Sequence, residues 1–354
     1  MFMKKYKVLL DGRALMHESQ SGVEVFTINI YKNLKKFHPD TKVVKPKSKN
    51  RYLHHLWEHF ILPFLAKDYD ILYSPANIAP FWTFKKTKLV VTLHDVAYLS
   101  HPKTVSKFFY YYYRFVMPLI LKKASKVVTI SKTSRDEIIK YYPFAKDKIV
   151  VVYNGILDSF FEEQNVQKKD LILYVGSLNE RKNYSAVIKA FRMLPKEYGY
   201  KLAMVGNFSQ NFAIKLKNKN ILEDVKDDKN IIFYSDLELN QLKKLYLEAK
   251  VFIYPSFYEG FGFPLLEAMA SKTPVITSNI SSMPEICGDA ALYISPYNVK
   301  DIAQKLKYLM ENEDLQKELS LKGYKRASLF RWERTAQNYI RLFEKILKEE
   351  KNPF

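Results

Sequence analysis

Apolar positions along this chain fall in short unbroken runs, not in the alternating pattern of a sheet with one wet face. In the first half the runs are Tyr6–Leu10, Asp70–Tyr73, Leu89–Leu93, Lys126–Ile130 and Ile149–Tyr153. In the second half they are Leu171–Val175, Leu202–Val205, Ile231–Tyr234, Val251–Tyr254, Pro274–Ile276 and Ala291–Ile294. Runs of this kind predict strands covered on both faces, as in a parallel sheet flanked by helices. The segments between them are long enough for crossover helices. The set occurs twice, which predicts an α/β protein of two doubly wound domains. From Trp332 to Lys348 the period changes. Ala336, Tyr339, Ile340, Phe343, Ile346 and Leu347 follow helical spacing, so an amphipathic helix is expected there. The polar, aperiodic stretch 159–170 marks a boundary. The expected domains are 1–165 and 166–334, with a C-terminal helix over 335–354 packing back on the first.

Composition narrows the class. A chain of 354 residues with 15% aromatics is too long for one ordinary core and too apolar for disorder. Its single cysteine, Cys287, excludes an intramolecular disulfide and a Cys-based zinc site, and fits a reducing compartment. No run of ~18 uncharged apolar residues is present, so no transmembrane helix is expected. The N-terminus lacks a small-residue cleavage site, so no signal peptide is expected. The net charge is +20, and it is uneven. Residues 1–168 hold 28 basic and 14 acidic side chains, the remainder 29 and 23. The excess in the first half points to an anionic partner or surface, although a generally lysine-rich composition gives the same sign.

Two segments carry candidate chemistry. In Tyr254–Ala270, YPSFYEGFGFPLLEAMA, a strand ends, Gly260 and Gly262 make a turn, and Pro264 stands where a helix begins. Such a turn offers backbone N–H groups and a positive dipole end to an anion. Glu259 and Glu267 flank it, and carboxylates suit sugar hydroxyls better than a bare phosphate. In Gly176–Asn183, GSLNERKN, Arg181 and Lys182 follow a strand directly and are placed to neutralise a diphosphate. A solvated loop accounts for either segment alone. Both together, at the carboxyl ends of strands in one domain, fit a ligand site.

With these residues the chain resembles the retaining, nucleotide-sugar-dependent glycosyltransferases of family 4. Its motifs are GSLNERKN, MVGN at 204–207, YEGFGFPLLEAMASKTPVITSN with its E-x7-E pair, and MPEICGDAA. The resemblance covers essentially the whole chain. It implies a GT-B fold, two Rossmann-like domains facing a cleft, and transfer of a hexose from a nucleoside diphosphate with retention of configuration. Arg181 and Lys182 resemble the pair that binds the diphosphate. Glu259 resembles the residue on the donor sugar, and Glu267 the one on the ribose. Gly176 and the amides around Gly260, Phe261, Gly262 and Phe263 would approach the phosphates. Glu285 falls on a further acidic position of the family, or is simply a helix-start carboxylate. Ser21-Gly22-Val23 resembles the family's glycine loop, with Gly22 alone where relatives often have more.

His94-Asp95, followed by His101-Pro102, resembles the TxHD segment of the mannosyltransferase-like branch. His94 is thereby a candidate for donor-sugar or acceptor contact, and Asp95 for a general base or a helix cap. His54, His55 and His59 are read as surface or acceptor-cleft residues. No cofactor and no metal are expected, and the donor is GDP- or UDP-linked. The stretches 42–57 and 103–126 mix aromatic and basic residues, which suits a membrane interface with anionic headgroups, although the second also reads as an ordinary buried helix. The resemblance then implies a glycan or lipid-linked acceptor in cell-surface polysaccharide or lipopolysaccharide synthesis. The expected location is cytoplasmic, peripheral on the inner membrane's cytoplasmic face. The alternative is a non-catalytic basic protein that binds nucleic acid or a membrane surface. No recognised nucleic-acid motif is present, and that alternative leaves Glu259, Glu267 and the glycine turn unexplained.

Overall fold

The computed structural model describes residues 6–16, 22–48, 50–100, 105–162, 166–206, 225 and 228–349. The chain divides into two units, Met1–Gly155 with Arg331–Phe354, and Ile156–Phe330.

The first unit is built on an all-parallel sheet of β1 (Val8–Asp11), β2 (Thr41–Val44), β3 (Ile71–Ser74), β4 (Lys88–Thr92), β5 (Lys126–Thr129) and β6 (Ile149–Val151). The order is β2-β1-β3-β4-β5-β6, so the winding reverses between β1 and β3. Five of these strands lie on predicted apolar runs. The sixth, β2, does not. It is an edge strand with Lys42 exposed and Val43 and Val44 half-buried, and so lacks the continuous apolar run of a covered strand. Leu72, Leu89, Val91 and Val127 pack with Ile120 and Leu121 of the helix Lys107–Lys123.

The closing helix Trp332–Glu349 belongs to this unit and buries Trp332, Thr335, Ala336, Tyr339, Leu342, Phe343 and Ile346. Its Tyr339 hydroxyl pairs with Thr92 Oγ1 at 2.7 Å, and Thr92 with the Tyr73 hydroxyl at 2.9 Å. Each large side chain buried this way is worth about 1.5–3 kcal/mol, so the helix is firmly held. The chain leaves the unit at Gly155, earlier than the expected boundary at 165. The polar character of 159–170 misleads, because Phe160 and Phe161 inside it are buried against Tyr246 and Tyr324 of the second unit.

The second unit holds β7 (Lys169–Val175), β8 (Lys201–Val205), β9 (Ile231–Tyr234), β10 (Ala249–Tyr254), β11 (Val275–Ser278) and β12 (Ala291–Ile294). All are parallel, in the order β12-β11-β10-β7-β8-β9, and all lie on predicted runs. The winding reverses between β7 and β10. Open α/β sheets bind ligands outside the carboxyl ends of strands at such a reversal.

The first unit also exposes an apolar face. The helical segment 51–65 contains a π turn, Trp57–Ile61, that buries Trp57, Glu58 and His59 and turns Phe60 and Ile61 outward. Phe64, 57% exposed, packs its ring on Trp82 and Phe84 at centroid distances of 5.4 and 5.7 Å. Lys123 Nζ donates to Thr83 O at 3.3 Å, which links this loop to the helix Lys107–Lys123, where Phe108 and Phe115 are also exposed.

Candidate active site

The two predicted segments of the second unit leave the two strands that flank its reversal point. After β7, Asn179 accepts from Lys182 N at 3.0 Å and caps the turn Glu180–Lys182. Asn183 then adopts a left-handed conformation, φ 53°. Its amide donates to Pro255 O at 3.0 Å and Pro296 O at 2.8 Å, pinning this turn to the loops after β10 and β12. The Arg181 carbonyl accepts from Phe257 N at 2.9 Å and Ser256 Oγ at 3.0 Å. Both cations are thus fixed by backbone before any ligand arrives.

Glu259 is the centre of this arrangement. Its Oε1 accepts from Lys182 Nζ at 2.5 Å, Ser256 Oγ at 2.7 Å and the Tyr254 hydroxyl at 3.0 Å. Lys182 also reaches the Tyr254 hydroxyl. Arg181 Nη1 lies 3.5 Å from Glu259 Oε2 and donates to Tyr258 O. Burial would raise the Glu259 carboxyl, but Lys182 and then Arg181 outweigh it and hold it below the ordinary range. Ser281 and Ser282 each donate to the Glu259 carbonyl at 2.8 Å. Sequence reasoning found Arg181, Lys182 and Glu259 but missed Tyr254, Ser256, Ser281 and Ser282.

The glycine turn follows. Gly262 has φ +98°, a left-handed conformation that side chains resist, and it starts the helix Phe263–Ala270. Phe261 is buried. Glu267, on that helix, is half-buried and accepts from the Tyr246 hydroxyl at 2.9 Å. Burial pushes its carboxyl up to about 7. The Gly176 amide donates to Val205 O at 2.9 Å, so it continues the β7–β8 pairing at the carboxyl end of the strands. Glu285 sits in the first turn of Met283–Cys287, where its carbonyl accepts from Arg326. Asn207 of the MVGN motif lies outside the described residues.

In the first unit His94 and Asp95 stand at the carboxyl end of β4. His94 is buried, and burial lowers its pKa. Its Nε2–H donates to Pro75 O at 2.8 Å, leaving Nδ1 as the lone-pair nitrogen. Its backbone N donates to Asn77 Oδ1 at 2.8 Å. Asp95 Oδ1 accepts from Ala97 N at 3.0 Å, an Asx turn just before the helix Ala97–Ser100. Gly22 opens the helix Gly22–Phe37; Ser21, His101 and Pro102 lie outside the described residues.

The reading of His54 and His59 as surface residues is corrected. Both are buried; His54 Nε2 pairs with Ser48 O and His59 Nε2 with the Tyr112 hydroxyl, each at 2.7 Å. Burial pushes His55 and His59 down to about 4, so both are neutral.

One cluster was not foreseen. Arg13, just after β1, donates from Nε to Glu58 Oε1 at 2.7 Å and from Nη2 to Ala76 O at 3.0 Å. It closes the reversal point of the first sheet and holds the loop that carries Pro75 and Asn77. Burial, then Glu58, pushes Asp11 far up, and burial raises Glu58 against the pull of Arg13. The signal was present in a charged Asp11-Gly12-Arg13 directly after a strand. Among the described residues no group of three or more His, Cys, Asp or Glu is placed to hold a metal ion. The Asp-x-Asp of the chain, Asp68-Tyr69-Asp70, lies before β3, where Asp70 accepts from Lys7 N at 2.8 Å.

Two parallel α/β units, one with paired cations and carboxylates at its reversal point, define a class that the comparisons make explicit. Residues 156–326 match the family model described as glycosyl transferases group 1, and residues 20–159 that described as glycosyltransferase family 4. The O-antigen chain mannosyltransferase RfbU of Salmonella typhimurium (strain LT2) is 32% identical over 243 residues, 65% of this chain and 67% of that protein. The O-antigen chain mannosyltransferase B of Escherichia coli is 28% identical over 294 residues, 78% of this chain and 75% of that protein. The crystal structure of Anabaena Alr3699/HepE in complex with UDP-glucose matches with a TM-score of 0.74 at 18% identity, covering 96% of this chain and all of that one. The chain belongs to the group 1, family 4 glycosyltransferases. It is a glycosyltransferase, and its fold is GT-B.

Proposed function

We propose that the enzyme transfers mannose from a nucleoside-diphosphate mannose, GDP-linked in preference to UDP-linked, to a hydroxyl of a glycan. The acceptor is read as lipid-linked, as in O-antigen or lipopolysaccharide synthesis. The observation that carries the donor side is the Lys182–Glu259–Arg181 cluster at the β7/β10 reversal. Two cations are held there on a buried carboxylate, beside a helix start. The sugar and the acceptor class rest on relatives named as O-antigen mannosyltransferases.

In this reading the anomeric C–O bond to the diphosphate breaks and a C–O bond to the acceptor forms on the same face. The acceptor proton passes to the leaving phosphate oxygen. Arg181 and Lys182 neutralise the charge that grows on that diphosphate, with amides of the Gly260–Phe263 turn adding dipoles. Glu259 and Glu267 bind hydroxyls of the sugar and ribose and do not act as an acid/base pair. Neutral His94 offers Nδ1 to a sugar or acceptor hydroxyl. No metal takes part. No described helix is long and apolar enough to cross a membrane. The exposed Phe60 and Phe64, in a unit whose stretches 42–57 and 103–126 mix aromatic and basic residues, are read as the side that meets an anionic bilayer, peripherally and from the cytoplasm.

Thermal shifts with UDP, GDP, ADP and their sugar conjugates, with and without EDTA, test the donor. At 100 times its Kd one nucleotide stabilises the fold by about 2.7 kcal/mol. A shift with GDP, abolished in Arg181→Ala and unmoved by EDTA, is the expected result. No shift with any nucleotide sinks the donor site. The product's anomeric configuration by NMR decides retention.

A further inference from the structure

At the amino ends of its strands, away from Arg181, Lys182 and Glu259, the second unit has a further cavity of about 360 Å³. That volume sits inside the ~300–1,000 Å³ range of small-molecule sites. Lys168 and Asp170 at the start of β7, Lys250 at the start of β10 and Lys272 just before β11 line it from the sheet. Glu313, Lys317 and Ser320 line it from the helix Glu313–Ala327. We propose that this cavity binds a phosphate-bearing anion, at a site separate from the one on Arg181 and Lys182. A soluble phosphate compound and a lipid headgroup share that chemistry.

The charges at the cavity do not balance. Four ammonium groups meet two carboxylates, and both carboxylates have lysine partners already. Asp170 Oδ1 accepts from Lys250 Nζ at 3.0 Å, and Glu313 Oε2 lies 4.0 Å from Lys317 Nζ, one turn along the same helix. The surplus of two positive charges matches a phosphate monoester, at about −2 near neutral pH. Lys168 is exposed as a residue, but its Nζ reaches in and donates to Thr273 Oγ1, a buried hydroxyl, at 2.8 Å. Thr273 gives its own proton to Tyr246 O. Among the described residues no carboxylate pairs with Lys168, and burial draws its pKa down to about 8. An ammonium so placed gains from a neighbouring anion.

Lys272 supplies a second observation. It holds φ 54° one residue past the cap of the helix Phe263–Ala270, a place that ordinarily falls to glycine. A lysine there is strained, and strain of this kind points to a use for the side chain. Ser320 Oγ donates to the Lys272 carbonyl at 2.8 Å, and Lys272 Nζ lies 5.1 Å from the centre of the Tyr324 ring, so both its backbone and its charged end are placed. Other ligands fit worse. A metal cation would meet four ammonium groups and carboxylates that are already paired. A hydrocarbon would strip water from these charges and give nothing back.

Pyridoxal 5′-phosphate is the probe, and pyridoxal, which lacks the phosphate, is the control. The neutral lysine amine adds to the aldehyde, water leaves, and borohydride reduces the imine to a stable secondary amine. Peptide mass mapping then reads the label on Lys168 apart from any on Lys182. Lys168 should take the phosphate probe about tenfold faster than pyridoxal, the gain from one charge-assisted hydrogen bond. Inorganic phosphate should suppress that label if the occupant is a soluble phosphate compound. Vesicles containing phosphatidate should be the sole suppressor if it is a lipid headgroup. Suppression by neither overturns the proposal, as does equal labelling by the two aldehydes, the mark of a reactive lysine with no anion site. Lys317→Gln should cut the phosphate advantage. Lys272→Gly should cut it as well while raising the Tm, because glycine accepts a φ of 54° without strain, so the loss is not one of folding. An advantage unchanged in both variants overturns the proposal too.

Discussion

Lys182 Nζ lies 2.5 Å from Glu259 Oε1, an oxygen that two hydroxyls, Tyr254 and Ser256, also donate to. The cation assigned to the leaving diphosphate is therefore paired with a buried carboxylate before substrate binds. Removing it has two effects. Lys182→Ala should lower kcat by about 10²–10³, the range for losing one preorganised donor at developing charge. It should also lower the Tm, because Glu259 loses its main counter-charge. Lys182→Arg should keep the Tm better than the activity. Steady-state rates and thermal denaturation on the same preparations check both. Since Glu259 is held below the ordinary range, its stabilising contribution is fully present above about pH 4.5 and is lost as the pH falls through the lowered value.

Glu267 runs the other way. Its carboxyl is raised to about 7, so the folded state favours the protonated form. The stability this gives is present below the unfolded value of about 4.5 and fades as the pH climbs to about 7. Urea unfolding at about pH 5 and pH 8 should show that loss in the wild type, and Glu267→Gln should flatten it. Nucleotide binding should respond oppositely. If the ribose hydroxyls donate to the ionised carboxylate, affinity strengthens as the pH rises through about 7. A flat affinity profile would remove Glu267 from the ribose site.

Arg13 and Glu58 form a buried ion pair at 2.7 Å, with the Glu58 side chain fully buried. Breaking one side should cost about 3–5 kcal/mol, because the other charge stays uncompensated. Arg13→Met and Glu58→Leu should each destabilise by that order. The double variant should recover much of the loss. Denaturant melts of the three proteins form the cycle, and strict additivity would show that the pair is not coupled.

The exposed Phe60 and Phe64 should anchor the protein to anionic vesicles. In flotation at low salt, Phe60→Glu with Phe64→Glu should lose binding to vesicles containing phosphatidylglycerol. The nucleotide-induced shift should be kept. Equal flotation of variant and wild type would detach the membrane role from this face.

Much of the fold was legible because covered parallel strands need unbroken apolar runs, and the edge strand β2 escaped for want of one. The donor-side motifs were legible because their residues are consecutive. Tyr254 and Ser256 were in plain view in the same segment, but their role depends on a side chain from the neighbouring loop. The histidines of 51–65 were misread for a geometric reason. The π turn adds a residue to the helical repeat, so Glu58 and His59 face inward while Phe60 and Ile61 face out. A helical wheel of period 3.6 cannot show this. Arg13 and Glu58 stand 45 residues apart and meet only once the first unit has folded.

Ile156 N donates to Phe330 O at 3.1 Å, so the two ends of the second unit meet. On the other side of the junction, a Cβ at Gly155 would lie 2.1 Å from Trp332 N, so that crossing admits only glycine. A segment whose ends touch is a guest inserted in a host. It can be exchanged between relatives at two adjacent cuts, or opened at new termini, without rethreading the chain. On the proposed reading the donor site travels whole with the guest, so a shuffled gene could carry one donor preference into a different host.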